Sequence, residues 1–328
     1  MADIVWVTLI GQVVLPIGII AWLASGRSAG ALEFGLKLLV AASYGGLLAV
    51  AGVWLLIPSG VLWGYAVVAG PAAWAAWRRL RREPFSDPTP ATPGRTRWRL
   101  GSYAAVSAVC LAAVAAALLG YDPPGPETLR LSSPVKGGVF YTVNGGYSIL
   151  INPHMKTLRR PELAGYRGQS YAVDLVKVDG WGRRAAGILP AALEDYFIYG
   201  EPVYAPCTGL VAQVENTLPD RGTVDPEQAP PAGNFVLLDC DGGQVLLAHL
   251  MEGSVRVATG EALRTGQPIA RVGNSGRSTE PHLHLHAQAR SAGASFGSDP
   301  LPIRVNGQVL VRGSRMRPPG PAGGPEDP

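Results

Sequence analysis

The sequence predicts a mainly β, antiparallel, sandwich-like domain preceded by about four membrane-spanning helices, and three observations carry that division. Up to about residue 121 the chain holds four long uncharged apolar runs, at about 4–24, 38–57, 61–77 and 103–119. From residue 129 onward, short Val-, Ile-, Leu- and Tyr-rich runs alternate with Gly, Pro, Asn and Asp, the pattern of an all-β domain. Three of the chain's five histidines stand at alternate positions in one short run, "PHLHLH", as they do on one face of a strand.

Each apolar run is close to the ~20 residues that cross a hydrocarbon core, and none has the polar stripe of a buried soluble helix. The first run follows Asp3 rather than a basic segment, and a second run comes close behind it, so a retained anchor fits better than a cleaved signal peptide. Seven arginines, Arg78, Arg79, Arg81, Arg82, Arg95, Arg97 and Arg99, lie in a linker at 78–100 between the third and fourth runs. The positive-inside rule puts that linker in the cytoplasm and both ends of a four-span bundle outside, with Arg27 and Lys37 on the cytoplasmic side. The net charge of +4 therefore reports topology and gives no reason to expect a nucleic-acid partner. A transporter is disfavoured because the four runs contain no ionisable residue. The partners expected at this level are the lipid bilayer and whatever the exported domain acts on.

The membrane region is thus 1–121, the exported β domain 122–312, and 313–328 a disordered Pro/Gly-rich tail. Residues 120–127, "GYDPPGPE", read as a short Pro-rich spacer. Strands are expected at 146–151, 170–178, 202–204, 208–215, 234–239, 244–249, 268–272 and 282–288. A closing hairpin is expected at 303–311, turning at Asn306-Gly307. The segment 218–233, "LPDRGTVDPEQAPPAG", reads as a long surface loop. Cys110 lies in the fourth apolar run. Cys207 opens one strand-like run and Cys240 closes another, so antiparallel pairing can bring these two together as a disulfide in an exported domain.

On a strand, His282, His284 and His286 share a face at steps of about 6.5 Å, too far apart for all three to bind one ion. A catalytic Zn²⁺ takes three protein ligands and leaves one position open. A neighbouring imidazole can then act on water or on a developing oxyanion. A carboxylate would reduce the charge of the site, and Asp174 in "YAVDLV" stands in an apolar strand where an unpaired carboxylate is costly. His249 ends an apolar strand in "LLAHL", and His154 follows a proline in "INPHM".

Together these residues resemble the lysostaphin and LytM-type zinc metallopeptidases, which cut peptides of peptidoglycan. The resemblance runs from about 131 to 299 and rests on "YAVDLV", "VYAPCTGLVAQV", "GNFVLLD", "VLLAHL", "VATGEALRTGQPIARVGNSGRS" and "TEPHLHLHA". It implies that Asp174 and His284 are zinc ligands and that His249 and His282 flank the metal, activating water and stabilising the tetrahedral intermediate. One position departs. The family's remaining ligand is a histidine four residues before the aspartate, and here that position is Ser170, a poor neutral zinc ligand. His154 is the substitute this reading selects. His286 is the rival, better suited to orienting a ligand from behind or to lining the groove wall, while Asn152 offers a weaker oxygen. Ser170 itself is expected near the site, behind the ligands or in the groove.

The function implied is a zinc metallopeptidase of the cell membrane, its C-terminal domain extracytoplasmic, acting on peptidoglycan peptides. Segments 273–276 and 218–233 would border the groove. The alternative is a degenerate member that binds or activates other cell-wall hydrolases, since Ser170 is the kind of change that would mark one.

Overall fold

The computed structural model describes residues 2–58, 60–82, 93–125, 127–221, 229–291 and 296–320. Parts of the arginine linker (83–92) and of the long loop (222–228), and the end of the tail (321–328), lie outside the described residues. The chain divides into two compact units, one drawn from Ala2–Val53 and Ile57–Leu118, the other from Leu119–Pro328 with Trp54–Leu56.

The first unit is helical: α1 (Ala2–Leu9) runs through a π-helical turn, Ile10–Val14, into α2 (Leu15–Ser25), followed by α3 (Ala31–Ala51), α4 (Val61–Arg82) and α5 (Pro93–Leu118). Among the described residues, three helical stretches are long and apolar enough to cross a membrane, Val5–Ser25, Ala31–Ala51 and Thr96–Tyr121, where about four were expected. The expected third run does form a helix, α4, but its last turns carry Arg78, Arg79, Arg81 and Arg82. The uncharged part, 61–77, spans only about 25 Å at 1.5 Å per residue, short of a ~30 Å core. The second span begins at Ala31 and so contains Glu33 and Lys37, which lie outside the apolar run at 38–57. They are enclosed together: Glu33 lies 3.6 Å from Lys37 one turn on and 2.9 Å from Arg99 of α5, so neither charge is buried alone.

The second unit is built on β-structure. Its strands are β1 (Leu129–Leu131), β2 (Val139–Asn144), β3 (Val173–Val178), β4 (Pro202–Tyr204), β5 (Gly209–Glu215), β6 (Asn234–Cys240), β7 (Gly243–Leu250), β8 (Ala262–Leu263), β9 (Pro268–Arg271), β10 (Leu283–Gln288), β11 (Pro300–Leu301), β12 (Ile303–Val305) and β13 (Arg315–Met316). Among the described residues, nine of them form one sheet in the order β13-β2-β3-β10-β7-β6-β5-β8, with β11 beside β10. The pairings within that sheet are antiparallel.

The central strands are covered on both faces. Val173, Leu175, Val236, Leu238, Val245, Leu247, Leu283 and Leu285 point into the main core. Opposite them, Phe235, Leu237, Leu246 and Ala248 form a smaller cluster. Asp174, His284 and His286 alternate with core residues along β3 and β10 and are therefore carried on that second face.

Cys207 and Cys240 are bonded, with Cα atoms 5.9 Å apart, because β5 and β6 pair antiparallel with Gly209 opposite Cys240. Cys110 is free and buried.

Several expectations about local structure are corrected. Residues 146–151 are a turn, not a strand: Gly146 has φ +88°, and the Ile151 and Asn152 amides both donate to the Ser148 carbonyl. The strand that pairs beside β3 on that side is instead β2. The Asn306-Gly307 turn forms with both φ positive, but its hairpin is a single bridge, Val305 to Gln308, because β12 pairs in parallel with β1. The tail is ordered at its start, where Arg315 and Met316 pair with Tyr141 and Phe140 and Met316 is buried. Residues 120–125 do not form a free spacer either. Gly120 is buried and its carbonyl accepts from the Tyr147 amide at 2.8 Å.

Candidate metal centre

Asp174 and His284 face each other across the β3–β10 ladder as a registered pair. The carboxylate Oδ1 lies 2.9 Å from His284 Nδ1, and Oδ2 lies 2.9 Å from His154 Nε2. One donor atom from each of His154, Asp174 and His284 lies within 4.8 Å of the others. Asp174 and His284 are buried and His154 half-buried. Two imidazoles and one carboxylate are a donor set suited to a catalytic zinc site.

His154 arrives from a short 3₁₀ turn, Pro153–Met155, and not from a strand. Asn152 caps that turn: its Oδ1 accepts from the His154 amide at 3.2 Å, while its Nδ2 donates to the Gly146 and Ala172 carbonyls. Every polar atom of the Asn152 side chain is thus bonded to backbone, and through Oδ1 it positions His154. Ser170 is fully buried, and its hydroxyl donates to the Arg167 carbonyl and bonds Thr157 Oγ1 at 2.8 Å.

His249 would, by strict alternation, point into the main core. The ladder shifts register between Asn234 and Phe235, opposite the end of β7, and His249 takes φ +61°. Such an irregularity re-aims a side chain, and here the His249 ring comes to 4.7 Å from the His282 ring and 5.8 Å from the His284 ring, centroid to centroid. His249 Nδ1 donates to the Ser275 carbonyl at 2.9 Å, and His282 Nδ1 to the Glu280 carbonyl at 2.9 Å. A carbonyl only accepts, so Nδ1 carries the proton in both rings and a neutral ring leaves Nε2 bare. His282 Nε2 lies 3.8 Å from Asp174 Oδ1.

His286 is fully buried, and its Nδ1 meets His284 Nε2 at 3.0 Å, so it braces the ring behind the cluster and does not enter it.

The electrostatics follow from this crowding. Burial opposes ionisation of Asp174, but the adjoining His154 and His282 and the bonds from His154 and His284 hold its carboxyl well below the usual carboxylate range. Burial, reinforced by the neighbouring His282 and His284, pushes His249 well below the ordinary imidazole value. Burial, with His284 and His154 beside it, does the same to His286. His284 is lowered by burial, partly offset by Asp174.

Four further residues complete the site and were missed in the sequence. Asn144, at the end of β2, donates to Asp174 Oδ2 at 2.8 Å, and Arg312 Nη2 donates to Asn144 Oδ1 at 3.0 Å. Arg184 and Glu280 form a buried ion pair with N–O distances of 2.8–3.0 Å. Glu280 lies inside the quoted "TEPHLHLHA" run, but its partner is 96 residues away. Nothing local in the chain links them. The loops expected to border the groove do meet: Asp220 bridges Ser275, and the Asp220 carboxylate accepts from the Asn274 amide.

Residues 195–295 match the model of peptidase family M23. That segment contains His249, His282 and His284, whereas His154 and Asp174 precede it. Among solved structures, the chain is similar to a zinc-containing peptidase from Vibrio cholerae (25% identity over 35% of this chain and 26% of that one, TM-score 0.23). It is also similar to the catalytic domain of the antimicrobial peptidase lysostaphin from Staphylococcus simulans (23% identity, 39% and 74%, TM-score 0.25). Whole lysostaphin from the same organism gives 21% identity, 53% and 52%, and a TM-score of 0.28. The chain thus spans about a quarter of the Vibrio protein and about half of whole lysostaphin. No curated protein matches the chain significantly.

Proposed function

With the M23 peptidase match over 195–295 as premise, we propose that this chain is a membrane-anchored zinc metallopeptidase hydrolysing peptide bonds in peptidoglycan. The observation that carries the reading is the convergence of His154, Asp174 and His284 within 4.8 Å of one another, beside two further histidines tied to backbone carbonyls. Two neutral imidazoles and one carboxylate fit Zn²⁺, and these three residues would hold it. When bound, zinc supplies Lewis-acid polarisation of the scissile carbonyl and acidifies a water.

The chain's own groups do the rest. With Nδ1 locked on Ser275 or Glu280, the bare Nε2 of His249 or His282 accepts the proton of the attacking water. The ring that took the proton then returns it from Nε2 to the leaving amine, while the other ring, when protonated at Nε2, donates a hydrogen bond to the oxyanion and keeps its proton. Asn144 and His286 fix the directions of Asp174 and His284. The apolar spans support anchoring in the cell membrane. With the arginines of α4 and Arg97 and Arg99 at the cytoplasmic face, the last span, Thr96–Tyr121, carries the chain across, so the β domain lies on the extracytoplasmic side, a compartment in which the Cys207–Cys240 bond persists.

The test is elemental analysis of the full chain in detergent, with His154→Ala, His284→Ala and Ser170→Ala beside wild type. The expected result is stoichiometric zinc in wild type and Ser170→Ala, and loss in both histidine variants. Absence of zinc from wild type sinks the reading, and retention by His154→Ala refutes its place as ligand. Chelator-sensitive release of peptides from purified peptidoglycan then separates a hydrolase from the second reading, a regulator of other wall hydrolases. That second reading draws on one observation: a serine committed to Thr157 and Arg167 stands where the family has a histidine.

A further inference from the structure

The last three residues of the last apolar span, Thr96–Tyr121, belong to the β unit. Gly120 lies within that span, and its carbonyl accepts the Tyr147 amide at 2.8 Å. The contact is backbone against backbone. A Cβ on Gly120 would stand 2.6 Å from the Ser148 nitrogen, and one on Gly146 would stand 2.9 Å from the Gly120 carbonyl oxygen. The turn 147–151 is therefore tied to Gly120, two residues along the chain from Leu118, the last residue of the helical unit.

At the tip of this turn Ile149 and Leu150 are exposed, 41% and 37%, although the preceding glycines and the following Ile151 and Asn152 are buried. Arg312 donates to the Leu150 carbonyl at 3.0 Å and so holds the tip in place. Exposed Lys156, Arg159 and Arg160 follow soon after the tip, a charge that suits anionic headgroups. Two adjacent exposed aliphatic side chains, in a turn tied to Gly120 and followed by cations, have the composition of an interfacial membrane contact.

We propose that the turn 147–151 is a second membrane contact, with Ile149 and Leu150 entering the interfacial layer of the bilayer that the span Thr96–Tyr121 leaves. The inference rests on the membrane anchoring proposed above. Asn152 and His154 follow the inserted pair directly, so the His154 side of the metal centre stays within about 14 Å of the lipid, about four residues of extended chain at most. Substrate peptides would then be met close to the membrane and not deep in the wall.

The test uses the full chain with Cys110→Ala and a single added cysteine, Ile149→Cys or Leu150→Cys, carrying a polarity-sensitive fluorophore. The protein is reconstituted in vesicles of phosphatidylethanolamine and phosphatidylglycerol that contain a shallow doxyl-lipid quencher. Leu210→Cys is the comparison: Leu210 is also apolar and 51% exposed, but it lies on β5, five strands along the sheet from β2. The expected result is a blue-shifted probe at 149 or 150, quenched about threefold or more above the probe at 210. Equal quenching in protein that floats with the vesicles overturns this inference alone. A chain that does not float with the vesicles overturns the membrane anchoring and this contact together.

Discussion

Arg184→Met tests whether the buried ion pair behind His282 is part of the working site. Arg184 and Glu280 are 4% and 6% exposed, and three N–O contacts of 2.8–3.0 Å join them. At that separation, and an effective dielectric constant of about 20, their attraction is about 6 kcal/mol, most of it spent on desolvating two charges. Removing the arginine leaves the Glu280 carboxylate buried and unpaired, a loss of about 3–5 kcal/mol. Arg184 also donates to the Ile188 carbonyl and lies over the Tyr196 ring, and the substitution removes both interactions as well. The double variant Arg184→Met/Glu280→Leu removes both charges and should recover most of the loss. Urea unfolding monitored by near-ultraviolet circular dichroism gives both numbers. The functional arm follows from the Glu280 carbonyl, which holds His282 Nδ1 at 2.9 Å. Once the turn is loosened, kcat/KM for peptide release should fall about 10- to 100-fold, as misplacement by an ångström does, with zinc content unchanged. A single variant that loses less than about 1 kcal/mol, or a double variant no better than the single, refutes the reasoning.

Three other outcomes are expected. Asn144→Ala removes a hydrogen bond to Asp174 and should weaken zinc binding about 10- to 100-fold in competition with a chromophoric chelator; unchanged affinity would mean that His154 and His284 alone orient the carboxylate. The Cys207–Cys240 bond closes a separation of 33 residues, so Cys207→Ser/Cys240→Ser should lower unfolding free energy by about 3.7 kcal/mol, read from denaturant midpoints. Metal-free protein should lose stability as pH falls. His249, His284 and His286 have folded pKa values below the unfolded value of about 6.5, so the unfolded chain binds more protons below that pH, and each contributes a slope of up to about 1.4 kcal/mol per pH unit. Equal urea midpoints at about pH 7 and pH 5 would contradict this sign.

What the sequence disclosed was whatever repeats at short range. The period of two in "PHLHLH" places His282, His284 and His286 on one face, and the polar residue in "YAVDLV" marks Asp174. The apolar runs marked the spans by length, but run length alone overlooked that Glu33 and Lys37 can enter a helix when Arg99 meets them. The remainder was hidden because it depends on long separations. His154 lies 20 residues from Asp174 and comes from a capped turn just beyond the expected strand at 146–151. His249 reaches the site through a register shift and a positive φ that no pattern in "LLAHL" announces. The Asn144–Asp174, Arg312–Asn144 and Arg184–Glu280 contacts join residues 30, 168 and 96 positions apart. Apart from Asp174, they consist of ordinary polar residues that no local pattern singles out.

The His284–Asp174 pairing has a consequence for folding itself. Two of the donors sit opposite each other on adjacent strands, so their alignment is the alignment of β3 with β10. A slip of one residue would turn every side chain of the moved strand to the other face and part the imidazole from the carboxylate. An ion held by these donors would thus act as a proofreader of strand threading: only a correctly zipped sheet could hold it, and each chain that did would be stabilised in that one alignment.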